Sequence, residues 1–128
     1  MIVIDTSVWI AFLRGEPGGL RLRNLLVDEA EIACTEPVVM EVLAGARSGQ
    51  QMEAERQLLT SRGWLPFDAV ADFEGAADIY RRARMSGITP NSHVDCMIIA
   101  VAARHAAPIM TLDANQASVA ELVGVPVI

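Results

Sequence analysis

Four acidic residues, Asp5, Glu41, Asp95 and Asp113, interrupt the most apolar stretches of this chain. Asp5 ends Met1-Ile2-Val3-Ile4, and Asp113 ends Ile109-Met110-Thr111-Leu112. Glu41 lies inside Val38-Val39-Met40-Glu41-Val42-Leu43, and Asp95 opens the run that begins at Cys96. A buried carboxylate is costly unless it is paired, hydrogen-bonded or bound to a metal. All ten basic residues are arginine, so no lysine is available to neutralise these acids. Hard cations such as Mg²⁺ or Mn²⁺ take carboxylate and water oxygens. Four acids brought together would form such a site, and metal-assisted cleavage of a phosphodiester is chemistry it can perform.

Three of the four have an alternative structural role. Asp5 can cap a helix entered through Thr6 and Ser7. Ser92-His93-Val94-Asp95 fits a capping box, and Asp113 with Gln116 can cap the helix that follows. Taken singly, each reads equally as cap or ligand. Glu41 sits in mid-helix, too far in to cap anything. One shared cluster is the more economical reading.

The missing lysines also remove competing functions. A phosphate-binding loop needs the lysine of G-x-x-x-x-G-K-[ST]. Receiver-type acidic pockets rely on a lysine after a late strand. A phosphatase of the D-x-D type would need an acid where Ser7 stands. Net charge is −6 with pI near 4.8, which argues against indiscriminate nucleic-acid binding through a basic surface. The four acids supply −4 of that charge, and arginine grips phosphate bidentately.

The 128 residues and 52% hydrophobic content imply one domain, residues 1–128, with a substantial core. The longest unbroken apolar run, Cys96 to Ala103, is well short of the roughly 18–20 residues of a membrane span. Met1 to Ile4 is too short for a secretory leader and has no basic start. A mature cytoplasmic protein without membrane contact is expected. Cys34 and Cys96 form no C-x-x-C motif, and both are expected to be reduced and buried.

The elements that must carry the acids read as short aliphatic strands alternating with helices. Strands are expected at Met1–Asp5, Ile32–Thr35, Trp64–Phe67, Ile109–Leu112 and Val125–Ile128. Helices are expected from Thr6 to Leu13, from Leu20 to Glu29, from Pro37 to about Arg47 and from Gln50 to Arg62, the last burying Met52, Leu58 and Leu59. Phe73, Ala76, Ala77 and Tyr80 repeat at helical spacing before Gly87. Ser92 to Arg104 is apolar nearly all round, and Ala114 to Val123 forms a last short helix. This alternation predicts an α/β/α fold with a central parallel sheet of four to five short strands. Functional groups of such sheets gather beyond the carboxyl ends of the strands, where Asp5 and Asp113 stand.

Four blocks, in order, carry a family resemblance. Ile4-Asp5-Thr6-Ser7-Val8-Trp9-Ile10 resembles the opening of PIN-domain ribonucleases, especially the VapC toxins of bacterial type II toxin–antitoxin pairs. Glu36-Pro37-Val38-Val39-Met40-Glu41-Val42-Leu43-Ala44-Gly45-Ala46 resembles their second acidic block. Val94-Asp95-Cys96-Met97-Ile98-Ile99-Ala100 resembles the third, and Thr111-Leu112-Asp113 the fourth. The chain departs from the pattern at Asn115, where many relatives carry a further acid. It departs again at Thr89-Pro90-Asn91-Ser92-His93, where Arg-Ser-Pro is frequent.

The resemblance implies a PIN-like fold and a metal-dependent endoribonuclease, a hydrolase cutting one structured RNA such as a transfer RNA or a ribosomal RNA loop. Asp5, Asp95 and Asp113 are the expected ligands of Mg²⁺, with Mn²⁺ as the alternative. Glu41 is expected to position or deprotonate the attacking water, leaving a 5′-phosphate and a 3′-hydroxyl. Thr6, Ser7 and Asn115 are candidates for orienting these groups or the substrate. Arg14, Arg47, Arg81, Arg82 and Arg84 are candidates for RNA backbone contacts. His93 is placed to approach the acids from two residues upstream of Asp95. A small VapB-like antitoxin and a homodimer are the expected partners, with Trp9, Ile10, Leu13, Leu22 and Leu26 lining an apolar groove. The other readings are a catalytically inactive binding module and a stand-alone RNA-processing nuclease.

Overall fold

The computed structural model describes residues 1–128. Strand β1 (Ile2–Ile4) leads through Asp5 into α1 (Thr6–Leu13). A 3₁₀ turn (Pro17–Gly19), α2 (Leu20–Val27), β2 (Ile32–Cys34), α3 (Glu36–Ala44) and α4 (Gly49–Leu59) follow. Then come β3 (Gly63–Trp64), α5 (Ala71–Met85), α6 (His93–Arg104), β4 (Ile109–Met110) and α7 (Ala114–Leu122).

All four strands are parallel, in the order β3-β2-β1-β4. Val3 pairs with Ala33 on one side and Ile109 on the other, so β1 is central. From β1 the chain steps outward through β2 to β3, then crosses back to lay β4 on the other flank of β1. That reversal opens a crevice past the carboxyl ends of β1 and β4, the usual ligand position in open α/β sheets. Asp5 and Asp113 flank it. The apolar core joins Val3, Ile4, Ile32 and Ile109 of the sheet to Val8, Trp9, Val38, Ile98 and Ile99 of the helices around it. No helix is long and apolar enough to cross a membrane.

Several expected boundaries move. The stretch Val125–Ile128 makes one parallel bridge, Ile109 to Val127, and adds no strand to the sheet. Pro126 has no N–H to extend a ladder. Helix α3 stops at Ala44, because the Arg47 amide already donates to Gln51 Oε1 on α4. The third strand ends at Trp64, before Pro66.

Two helices turn different faces inward than their spacing suggested. On α5 the buried positions are Asp72, Ala76, Ile79 and Ala83, while Phe73 is 55% exposed. The small residues let α5 pack closely on α6: a Cβ on Gly75 would stand 3.4 Å from that of Ala100. An ion pair between the buried Asp72 and the exposed Arg104 fixes this choice, Arg104 donating to both carboxylate oxygens of Asp72 at 2.9 and 2.8 Å. Phe73 instead meets Phe67 edge-on at 4.8 Å. On α4, Met52 is exposed and Glu55 is buried beside Leu59.

Candidate active site

Asp5 is fixed by three donors on one carboxylate oxygen. Its Oδ2 accepts from the Ser7 amide (3.1 Å), the Ser7 hydroxyl (2.6 Å) and the Thr111 hydroxyl (3.0 Å). The other oxygen, Oδ1, is buried and has no hydrogen-bond partner. Asp5 therefore caps α1 with one oxygen and presents the second, unpartnered, from a residue only 2% exposed. Ser7 also accepts from the Leu112 amide at 3.0 Å, which locks the end of β1 to the segment leaving β4.

Glu41 reaches the same region from the middle of α3, where Thr6 donates its hydroxyl to Oε1 at 2.7 Å. Asp95 stands in the first turn of α6, whose N-cap Ser92 accepts from the Asp95 amide at 3.1 Å. Asp113 caps α7, its Oδ1 accepting from the Asn115 and Gln116 amides. Its Oδ2 accepts from Asn91 Nδ2 at 3.0 Å. Asp5, Asp95 and Asp113 thus sit at helix starts, and capping and clustering occur together.

The electrostatics bind the four into one unit. The Asp95 carboxyl is pushed up to about 6, first by burial and then by the charges of Asp5, Glu41 and Asp113. Like charges held close disfavour ionisation in this way. No ion pair of the molecule includes any of the four. No group of three or more His, Cys, Asp or Glu side chains lies close enough together to hold a metal ion unaided. The acids form an open ring, the kind of site that suits a cation keeping part of its water, as Mg²⁺ does when held by one or two carboxylates. The orphaned Oδ1 of Asp5 and the raised Asp95 fit a divalent ion.

The remaining candidates divide. Thr6 and Ser7 hold Glu41 and Asp5 directly. Asn115 holds the 89–91 segment, donating to the Thr89 carbonyl (3.0 Å) and accepting from the Asn91 amide (3.2 Å). Arg14 shares a cleft with Glu41, whereas Arg47 is exposed on the turn between α3 and α4. Arg81 and Arg82 lie 3.5 and 4.0 Å from Asp78 on the exposed face of α5, and Arg84 is exposed too. Helix α5 runs antiparallel to α6, with Asp72 meeting Arg104 at one end and Tyr80 stacked on His93 at the other. The three arginines therefore stand at the end of α5 near Asp95.

His93 stacks on Tyr80 with centroids 4.7 Å apart and planes within 6°. Trp9 and Leu22 are core residues, 1% and 0% exposed, so neither can line a partner groove. Burial pushes the Cys34 thiol up to about 12 and the Cys96 thiol up to about 11, leaving two inert, unpaired cysteines. Sequence reasoning missed Asn91, which braces Asp113, and Glu55, buried on a helix that reads as polar. The i, i+4 spacing of Gln51 and Glu55 was the one available signal for the latter, since Gln51 donates to Glu55 at 2.8 Å.

Comparison with known proteins agrees with this architecture. Residues 2–122 match the model of the PIN domain family. The chain is 42% identical over 118 residues to ribonuclease VapC11 of Mycobacterium tuberculosis, covering 90% of this chain and 88% of that protein. VapC ribonuclease Mb1587 of Mycobacterium bovis matches to the same extent. Among solved structures, VapBC2 of Rickettsia felis, bound to a DNA fragment from its promoter, superposes with a TM-score of 0.75 at 16% identity. That match covers 100% of this chain and 98% of the other. The parallel sheet with its acid-lined crevice and the family match over nearly the whole length agree: this chain belongs to the PIN-domain family, among the VapC ribonucleases.

Proposed function

We propose that the protein is a Mg²⁺-dependent endoribonuclease, the toxin of a VapBC-type pair, cleaving one structured RNA such as a transfer RNA or a ribosomal RNA loop. The observation that carries this reading is the open ring of acids in which Asp5 Oδ1 is buried without a partner while Asp95 is raised to about 6. Asp5, Asp95 and Asp113 would hold the ion. When bound, it neutralises charge on the phosphate and eases deprotonation of water.

The chain's own residues do the rest. Thr6 orients Glu41, whose free oxygen accepts a proton from a water aimed at the scissile phosphorus. Ser7 and Thr111 keep the Asp5 carboxylate from rotating, and Asn91 does the same for Asp113. In-line attack leaves a 5′-phosphate and a 3′-hydroxyl. Arg14, beside Glu41, and Arg81, Arg82 and Arg84, at the end of α5, supply backbone contacts.

Membership among the VapC ribonucleases supports a small VapB-like antitoxin as partner, a homodimer within that complex, and action in the cytoplasm. Ile10 and Leu26 are partly buried and Leu13 is exposed, and these offer it apolar surface. The test is sequencing of RNA 5′ ends after induction of the protein beside its Glu41→Gln form. New 5′-phosphate ends at one RNA site, absent with Glu41→Gln, are expected. Identical ends with both would remove Glu41 from the chemistry. Complete activity in excess chelator would remove the metal.

A further inference from the structure

A cleft of about 360 Å³ opens between α1, α3 and α4, and it meets the acidic ring at Glu41, which lines both. Leu13 and Val42 supply apolar wall, and Arg14, Glu41, Gln51 and Glu55 supply its polar groups. Glu55 is the unusual member: it is 9% exposed, and its Oε2 is buried with no hydrogen-bond partner. Its Oε1 accepts from Gln51 Nε2 at 2.8 Å, and Gln51 is fixed in turn by accepting from the Arg47 amide at 3.1 Å. A buried acceptor without a donor costs free energy that a ligand's N–H group would recover.

We infer that this cleft is a nucleobase pocket selecting guanine next to the scissile phosphate, with Glu55 as the specificity residue; the inference rests on the RNA-cleaving reading above. Guanine is the base whose pairing edge carries two adjacent donors, N1–H and the 2-amino group, which match a carboxylate. Adenine and cytosine present a ring acceptor there, and uracil presents one donor between two acceptors. The aliphatic walls suit the faces of a planar ring. Arg14 distinguishes a nucleotide from a cationic side chain of a protein partner. A nucleotide offers its phosphate to Arg14 and its N–H edge to Glu55, so both are satisfied. A cationic side chain would satisfy the carboxylates but bring no anion to Arg14.

The experiment is an NMR titration of the full-length protein in magnesium buffer with guanosine, adenosine, cytidine and uridine 5′-monophosphates. Phosphate contacts are then common to all four. Guanosine monophosphate should shift the Leu13 and Val42 methyl signals with a dissociation constant at least about tenfold below the others, the worth of a hydrogen bond to a charged group. Glu55→Gln should abolish the difference, and Arg14→Ala should weaken all four alike. Inosine 5′-monophosphate, which lacks the 2-amino group, should bind the unaltered protein about tenfold more weakly than guanosine monophosphate, a readout that needs no variant to fold. Equal binding of all bases, shifts that bypass Leu13 and Val42, or a guanine preference that survives Glu55→Gln would each overturn the pocket.

A hairpin RNA with a randomised loop separates this from the nuclease reading. Guanine enriched at one position beside the cut supports the pocket. Cleavage without base preference overturns the pocket and leaves the nuclease standing. Selective guanosine monophosphate binding without cleavage of any RNA keeps the pocket and removes the nuclease.

Discussion

Thr6 donates its hydroxyl to Glu41 across 2.7 Å, joining the first residue of α1 to the middle of α3, thirty-five positions along the chain. Glu41 is the one acid of the four that lies in mid-helix, away from any helix start, and this hydroxyl is what orients it. Thr6→Val keeps the shape and deletes the donor. Its kcat should fall about tenfold with KM little changed, because a hydrogen bond to a charged group is worth roughly 1.5–3 kcal/mol. Thr6→Ser should restore most of the rate. Steady-state kinetics on a cleavable RNA decides it, and equal loss in the Val and Ser forms would remove the hydroxyl from the argument.

Asp95 makes the metal-free protein sensitive to pH in an identifiable direction. Its folded pKa of about 6 lies above the ordinary aspartate value, so the native state holds a proton that the unfolded chain has released. That contribution is present at pH 4 and is lost as pH rises towards 6. Asp95→Asn should therefore raise stability at pH 7.5 by on the order of 1 kcal/mol, after allowance for solvent screening at this half-buried site. It should add little at pH 4. Urea unfolding at the two pH values measures both.

Cation affinity follows from the same proton. A divalent ion must displace it, so binding should weaken from pH 7.5 to pH 5 and release protons to the buffer. Calorimetric titration of Mn²⁺ in two buffers of different ionisation enthalpy reads both effects. Affinity that stays flat across this range would show that Asp95 is not among the groups engaged.

Asp72 and Arg104 stabilise the fold in the opposite sense. Burial alone would raise the Asp72 pKa, but the Arg104 hydrogen bonds and charge, with the Asp68 amide, hold it below the usual carboxylate range. The stabilisation is present above about pH 4 and is lost as pH falls through the depressed value. Arg104 also donates to the Pro66 carbonyl at 2.6 Å, so it ties the segment before α5 to the end of α6. Arg104→Met leaves the buried Asp72 without its donor and should cost about 1.5–3 kcal/mol, the worth of a hydrogen bond to a charged group, towards the low end because Arg104 is exposed. Thermal unfolding at pH 7 should show a large loss that narrows below pH 4.

Trp9 is a core residue rather than a partner contact. Trp9→Ala should destabilise the protein by about 3–5 kcal/mol. Leu13→Ala, on the exposed side of the same helix, should cost less than about 1 kcal/mol. Urea midpoints compare the two, and near-equal losses would contradict the assignment of Trp9 to the interior.

The sequence by itself determined the class of fold and the identity of the four acids. Continuous aliphatic strands such as Ile2–Ile4 and an all-round apolar helix such as α6 admit only a buried parallel arrangement, and carboxylates at the ends of such runs stand out. Local pattern also placed the caps at Asp5, Ser92 and Asp113, because capping depends on neighbours two or three residues away. The tertiary structure alone decided what depends on partners far along the chain. The inward face of α5 went to Asp72, Ala76 and Ile79 because Arg104, thirty-two residues later, supplies the charge that lets Asp72 be buried. Val125–Ile128, β-branched enough to read as a strand, obtained only one bridge because pairing needs free donors on both chains. Glu55 looked like a solvated helix residue until the packing of α4 against α3 buried it. At Asp5 the local capping pattern is met by one oxygen, which takes the Ser7 amide, while the other is buried without a hydrogen-bond partner, a division that only the folded chain reveals.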